Sequence, residues 1–151
     1  MTVYRITNTA YSGDLNGTGA KLMGGRWNSG GLPVLYTAGH ISLAVLEMLV
    51  NTNFKDYAIP LDLVYIKLPE QHKTIIIEPG KLKKNWQSDH GYTRFLGDAL
   101  LTEKESLLIK VPSAVIPEEF NYLANPLHPD FRKISIIKIK SFRPDERLFS
   151  I

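Results

Sequence analysis

Six short runs dense in β-branched and aromatic residues constrain this chain more than any other feature: VYRIT at 3–7, PVLYT at 33–37, DLVYIKL at 62–68, KTIIIE at 73–78, SLLIKV at 106–111 and KISIIKIKSF at 133–142. Side chains branched at Cβ pack well on a pleated surface and lose rotamer freedom in a helix, so each run is expected as a strand. The last alternates Ile137 and Ile139 with Lys138 and Lys140, the pattern of a strand with one wet face. Two stretches break the β pattern. Residues 40–51 are too long and too continuously apolar for a strand, and Ala44, Leu46, Glu47, Met48 and Leu49 favour helix, which predicts a buried helix. Residues 92–103 carry Tyr92, Phe95, Leu96, Ala99 and Leu100 at the spacing of an amphipathic helix. Two helices placed irregularly among six strands point to an α+β fold and away from repeated βαβ units.

Composition narrows the class. At 151 residues the chain suits one domain over 1–151, and a domain of this size buries roughly 68–70% of the surface its unfolded chain exposes. With 44% hydrophobic and 22% charged residues and no low-complexity tract, disorder is not expected. The stretch MTVYRITNTAYSG has no basic region leading into an apolar run, and no segment approaches 18 consecutive apolar residues, so the expectation is a cytoplasmic protein without leader or membrane span. The absence of cysteine fits that compartment and removes thiolate chemistry. Net charge is only +3, and the cluster Lys81, Lys83 and Lys84 reads as a solvated surface, so no direct nucleic-acid contact is expected. His40, His72, His90 and His128 are widely separated and form no metal-ligand spacing, so no metal is expected.

Chemistry concentrates in the first third. GTGAKLMGGRWNSGG at 17–31 holds six glycines but matches neither a dinucleotide fingerprint nor a Walker loop, and glycines alone read as a long surface turn. Arg26 within it offers a planar fork suited to phosphate, or equally to a surface ion pair; Trp27 reads as core. Glu47 stands in an almost wholly apolar helix, where a carboxylate is costly without a partner or a task. It lies on an exposed stripe, pairs with a buried arginine, or faces a cleft; Leu43 and Asn51, one turn to either side, supply no cation. Tyr36 ends a strand just before that helix, as core or cleft wall. Ser113 in VPSAVIP reads as a turn residue bonding its own backbone, and no G-x-S-x-G elbow surrounds it.

Taken together, YRI at 4–6, GTGA and GGRWN across 17–28, VLYTAGHISLAVLE at 34–47, VPSAVIP at 111–117, NYLANPLHPDF at 121–131 and FRPDERLF at 142–149 resemble the RES domain, named for its arginine, glutamate and serine. The resemblance runs almost end to end. It implies a mixed-sheet core similar to ADP-ribosyltransferase toxins, and a bacterial type II toxin that degrades NAD+ as its substrate, with no further cofactor. It also implies neutralisation by an antitoxin with an Xre-like DNA-binding domain, with homodimer formation possible inside that complex. By the same resemblance Arg26, Tyr36 and Glu47 carry catalysis, and Arg5, Arg26, Tyr36 and Ser113 bind NAD+. The PSA context assigns the family serine to Ser113 instead of Ser106. Loss of nicotinamide builds positive charge on the ribose, which calls for a carboxylate near the anomeric carbon and donors for the phosphates. The acceptor of the ADP-ribosyl group is left open among water, phosphate and a protein side chain. A non-catalytic binding module is the remaining alternative.

Overall fold

The computed structural model describes residues 1–51 and 59–149. Within them lie seven strands, β1 (Thr2–Asn8), β2 (Leu35–Ala38), β3 (Leu61–Lys67), β4 (Thr74–Ile76), β5 (Leu108–Pro112), β6 (Phe120–Ala124) and β7 (Ser135–Phe142), and three α-helices, α1 (Thr18–Met23), α2 (Ile41–Asn51) and α3 (His90–Glu103). The strands form one sheet in the order β4-β5-β6-β2-β1-β3-β7. Only β4 and β5 run parallel; every other neighbouring pair is antiparallel. Among the described residues no helix is long and apolar enough to cross a membrane. This is the α+β architecture anticipated from the six strand-like runs.

The ladders β1/β3, β3/β7, β2/β6 and β5/β6 are long, but β1 meets β2 only through Tyr4 and Ala38. Past that rung the two halves of the sheet part, and a cleft enters the gap. Period-2 alternation sorts the side chains around it. On one face Val3, Leu35, Val64, Ile66, Leu108 and Ala124 share a core that spans both halves. On the other, α2 lays Leu43 and Ala44 against Ala38, Tyr4 and Ile6, while Ile109, Val111 and Leu123 pack with Trp27, Trp86 and Leu101 of α3.

Five details differ from the sequence reading. β6 and α1 were not expected. α1 is six residues inside the glycine-rich stretch, bounded by Gly17 and Gly24 with φ of 69° and 73°, a left-handed backbone that favours glycine at both ends. The helix at 41–51 is not a buried one: only Leu43 and Ala44 are buried, and Val50 is 61% exposed. In α3 the buried row is Thr93, Gly97 and Leu101, and Phe95 is 74% exposed, because the helix packs through its small residues. In β7 Ile137 has no register partner, falling at a bulge opposite Tyr65 and Ile66, and both Ile137 and Ile139 are exposed; this edge strand is wet on two faces.

Candidate active site

The site residues come from five neighbouring segments. Arg26 follows Gly24 and Gly25 in the loop after α1; Tyr36 lies within β2, Glu47 in the second turn of α2, Ser113 just past β5 and Asn121 in β6. Asn121 is opposite Ala38 of β2 and Val111 of β5, so it shares the face of Tyr36 and α2.

Glu47 faces the cleft, and no Lys, Arg or His among the described residues forms a salt bridge with it. One carboxylate oxygen, Oε1, accepts from Ser113 Oγ at 2.7 Å and from Asn121 Nδ2 at 2.6 Å, while Oε2 has no hydrogen-bond partner among the described residues. The Ser113 hydroxyl accepts from the N–H groups of Val115 and Ile116, both at 3.1 Å, and this leaves its proton for Glu47. Ser113 is therefore the turn residue its sequence context suggests and a ligand of Glu47 at once. Ser106 is buried at the start of the β5 region with an unpartnered hydroxyl and does not reach Glu47.

Tyr36 ties the arginine loop to the sheet. Its hydroxyl donates to Asn28 Oδ1 at 2.7 Å and accepts from the Trp27 N–H at 3.0 Å; Asn28, fully buried, donates to the carbonyls of Ala20 and Leu32. A side chain on Gly25 would come within 2.6 Å of the Tyr36 hydroxyl, so this contact requires glycine there. Burial pushes the Tyr36 phenol well above its ordinary pKa. Because the unfolded chain then ionises first, the stability owed to this tyrosine is complete below about pH 10 and is lost as pH rises beyond it. Tyr36→Phe is expected to melt lower than the parent at pH 7, by ~1–3 kcal/mol for the stranded groups. The gap between the two should narrow above pH 10; a gap that widens there contradicts the assignment.

Arg26 donates Nη1 to the carbonyl of Gln87 at 2.8 Å, and its Nη2 stands 3.5 Å from His90 Nε2. Burial lowers its pKa while the field of Glu47 opposes that, and a guanidinium stays charged under either influence. Two adjoining recesses, with empty volumes of about 730 and 1170 Å³, share Tyr36, Glu47, Asn51 and Asn121. The smaller opens onto the gap between β1 and β2; the larger is bordered by Arg26, His90 and Arg94.

Arg26, Tyr36, Glu47 and Ser113 thus come together. Arg5 lines the smaller recess with Tyr36 and Glu47 but does not join Arg26: alternation along β1 puts it on the side of Val3, and its guanidinium donates to the Asp14 carbonyl at 2.6 Å. Three polar residues were missed: Asn28, Arg94 and Asn121. Asn121 lies in a strand that was itself overlooked, and the two asparagines leave no spacing signal in the sequence. Ser113→Ala strands the amides of Val115 and Ile116, at ~1–3 kcal/mol each. A melting temperature several degrees below the parent is expected; an unchanged one would mean that the turn holds without the hydroxyl.

The RES domain family profile matches residues 2–148. The chain belongs to the RES domain family. Toxin Res of Pseudomonas putida is 38% identical over 154 aligned positions, covering 99% of this RES chain and 100% of the relative. The Prs ADP-ribosylating toxin of a Sphingobium species is 34% identical over 139 positions, covering 89% and 86%. Among solved structures, a chain of the M. tuberculosis MbcT–MbcA toxin–antitoxin complex superposes with a TM-score of 0.75 over 99% of this RES chain and 87% of its own length. At 18% identity that likeness is one of fold.

Proposed function

We propose that this RES chain is a toxin that cleaves the bond between nicotinamide and ribose in NAD+. The observation that carries the reading is the carboxylate of Glu47, in no salt bridge among the described residues, held through one oxygen by Ser113 and Asn121 where the two recesses meet. As the C1′–N bond breaks, its electron pair leaves with nicotinamide and the ribose becomes oxocarbenium-like. Oε2 then faces a developing positive charge, or accepts from a ribose hydroxyl while the carboxylate field does the same work. An apolar helix around it keeps that field strong. The acceptor contributes a lone pair to C1′ and gives up its proton.

The name of the Sphingobium relative favours a second reading, in which the acceptor is a side chain of another protein. Both readings begin with release of nicotinamide. Purified protein mixed with NAD+ is expected to liberate free nicotinamide, and folded protein that liberates none in either the presence or the absence of a protein acceptor removes the proposal. Label that stays with a protein acceptor selects transfer over hydrolysis or phosphorolysis. A harmful open site calls for restraint, and the structural neighbour comes from a toxin–antitoxin complex. The neighbouring gene product, of the Xre-like class, is expected to co-purify with this chain and suppress nicotinamide release.

A further inference from the structure

Arg94 is the feature of the larger recess that the reading so far does not use. It lies in the second turn of α3, and its Nε donates to the carbonyl of Gly25 at 2.8 Å, the residue before Arg26. The anchor orients the side chain and leaves both Nη groups without a hydrogen-bond partner among the described residues. Asp98, one helical turn on, is the carboxylate that (i, i+4) geometry offers as a partner. Both its oxygens are already committed to Ser29, accepting from the N–H at 2.8 Å and from Oγ at 2.6 Å.

Arg26 is more committed: Nη1 holds the Gln87 carbonyl and Nη2 stands 3.5 Å from His90 Nε2, yet no carboxylate among the described residues lies in salt-bridge range. The carbonyl of Arg26 is itself fastened to α3 by Thr93 Oγ1 at 2.6 Å, so the two arginines cannot move apart without breaking α3 from the loop. Among the described residues Glu47 is the one carboxylate bordering the recess, and its Oε1 is taken. Guanidinium donors left without a carboxylate in a half-buried recess carry a desolvation cost that a bound anion offsets. Planar forks match phosphoryl oxygens in pairs.

We propose that Arg94 and Arg26 together form the phosphate subsite of the recess, gripping the diphosphate of the dinucleotide whose glycosidic carbon lies at Glu47. The subsite rests on and deepens the function proposed above, and adds Arg94 to Arg5 and Arg26, the arginines that family resemblance gave to NAD+. Inorganic phosphate has the same chemistry, and as an acceptor it is a second source of the anion.

The test measures two ligands on the same protein: ADP-ribose, which carries the diphosphate, and nicotinamide, which carries none, each by calorimetry. Arg94→Ala is expected to weaken ADP-ribose binding tenfold or more and to leave nicotinamide binding at the parental value. Arg94→Lys, which keeps the charge but not the fork, is expected to fall between them, and it serves if the alanine variant melts early. Equal weakening of both ligands would make Arg94 a support of the loop and overturn the proposal, as would a parent that does not bind ADP-ribose. Titration of inorganic phosphate separates the sources: if Arg94→Ala abolishes phosphate binding yet leaves that of ADP-ribose unchanged, the diphosphate assignment is wrong. A parent that binds ADP-ribose but releases no nicotinamide from NAD+ refutes the cleavage reaction and leaves the subsite standing.

Discussion

Replacing Glu47 by glutamine is expected to cut nicotinamide release by roughly 10²–10³-fold, the usual cost of losing one preorganised electrostatic element, and to leave the melting temperature near that of the parent. Two accounts of this residue competed in the sequence. As half of a buried ion pair, its loss strands a cation and costs ~3–5 kcal/mol of stability. The structure puts no cation in salt-bridge range of Glu47 among the described residues. Its partners are a hydroxyl and an amide, both donors that a glutamine oxygen also satisfies. What glutamine cannot supply is the negative charge opposite the ribose. The paired measurement is therefore nicotinamide release and thermal melting on one preparation. Near-parental turnover takes Glu47 out of the mechanism, and a collapsed melting temperature restores the ion-pair account.

Gly97→Ala is expected to be the most disruptive single methyl group added to the described chain. A Cβ at Gly97 would lie 1.7 Å from the Trp27 carbonyl oxygen and 2.7 Å from its carbon, and these are backbone atoms that no rotamer change moves aside. Helix α3 must retreat from the arginine loop, giving up the contacts from Thr93 to Arg26, Arg94 to Gly25 and Ser29 to Asp98. Overpacking of this kind costs ~3 kcal/mol, and at about 2–4 °C per kcal/mol for a chain of this length the melting temperature should drop by roughly 6–12 °C. Activity should fall even below that temperature, because Arg26 is displaced. Gly91→Ala is the control: it lies on the same helix, its nearest contact would be an Asp89 carboxylate oxygen at 3.6 Å, and it should melt like the parent or slightly higher. Equal behaviour of the two variants would show that α3 does not hold the loop.

Strand identity was legible because β-branched residues report a local preference, and six of the seven strands stand on such runs. β6 did not, since FNYLA has two aromatic residues but no β-branched one and its pairing is decided by β2 and β5 on either side. The α3 packing row was illegible for a different reason. Periodic hydrophobicity picks out large side chains, whereas Thr93 and Gly97 are buried because they are small and let a backbone approach. At the site, Glu47 was conspicuous as a charge out of place, and Ser113 became so only through its family context. Asn28, Arg94 and Asn121 carry ordinary surface chemistry in the sequence; what marks them is the partner each meets across 8, 69 or 74 positions of chain. Arg5, conspicuous by resemblance, lines the smaller recess apart from Arg26, with its guanidinium tied to the Asp14 carbonyl.

The single rung between Tyr4 and Ala38 means that the jaws of the cleft are not set by a hydrogen-bonded ladder. What bridges the two halves of the sheet is apolar packing on both faces: α2 laid on Tyr4, Ile6 and Ala38, and the core beneath, where Val3 of β1 and Leu35 of β2 share neighbours from β3, β5 and β6. A methylene added or removed at Leu35 is therefore expected to change the width of the cleft without altering any group that lines it.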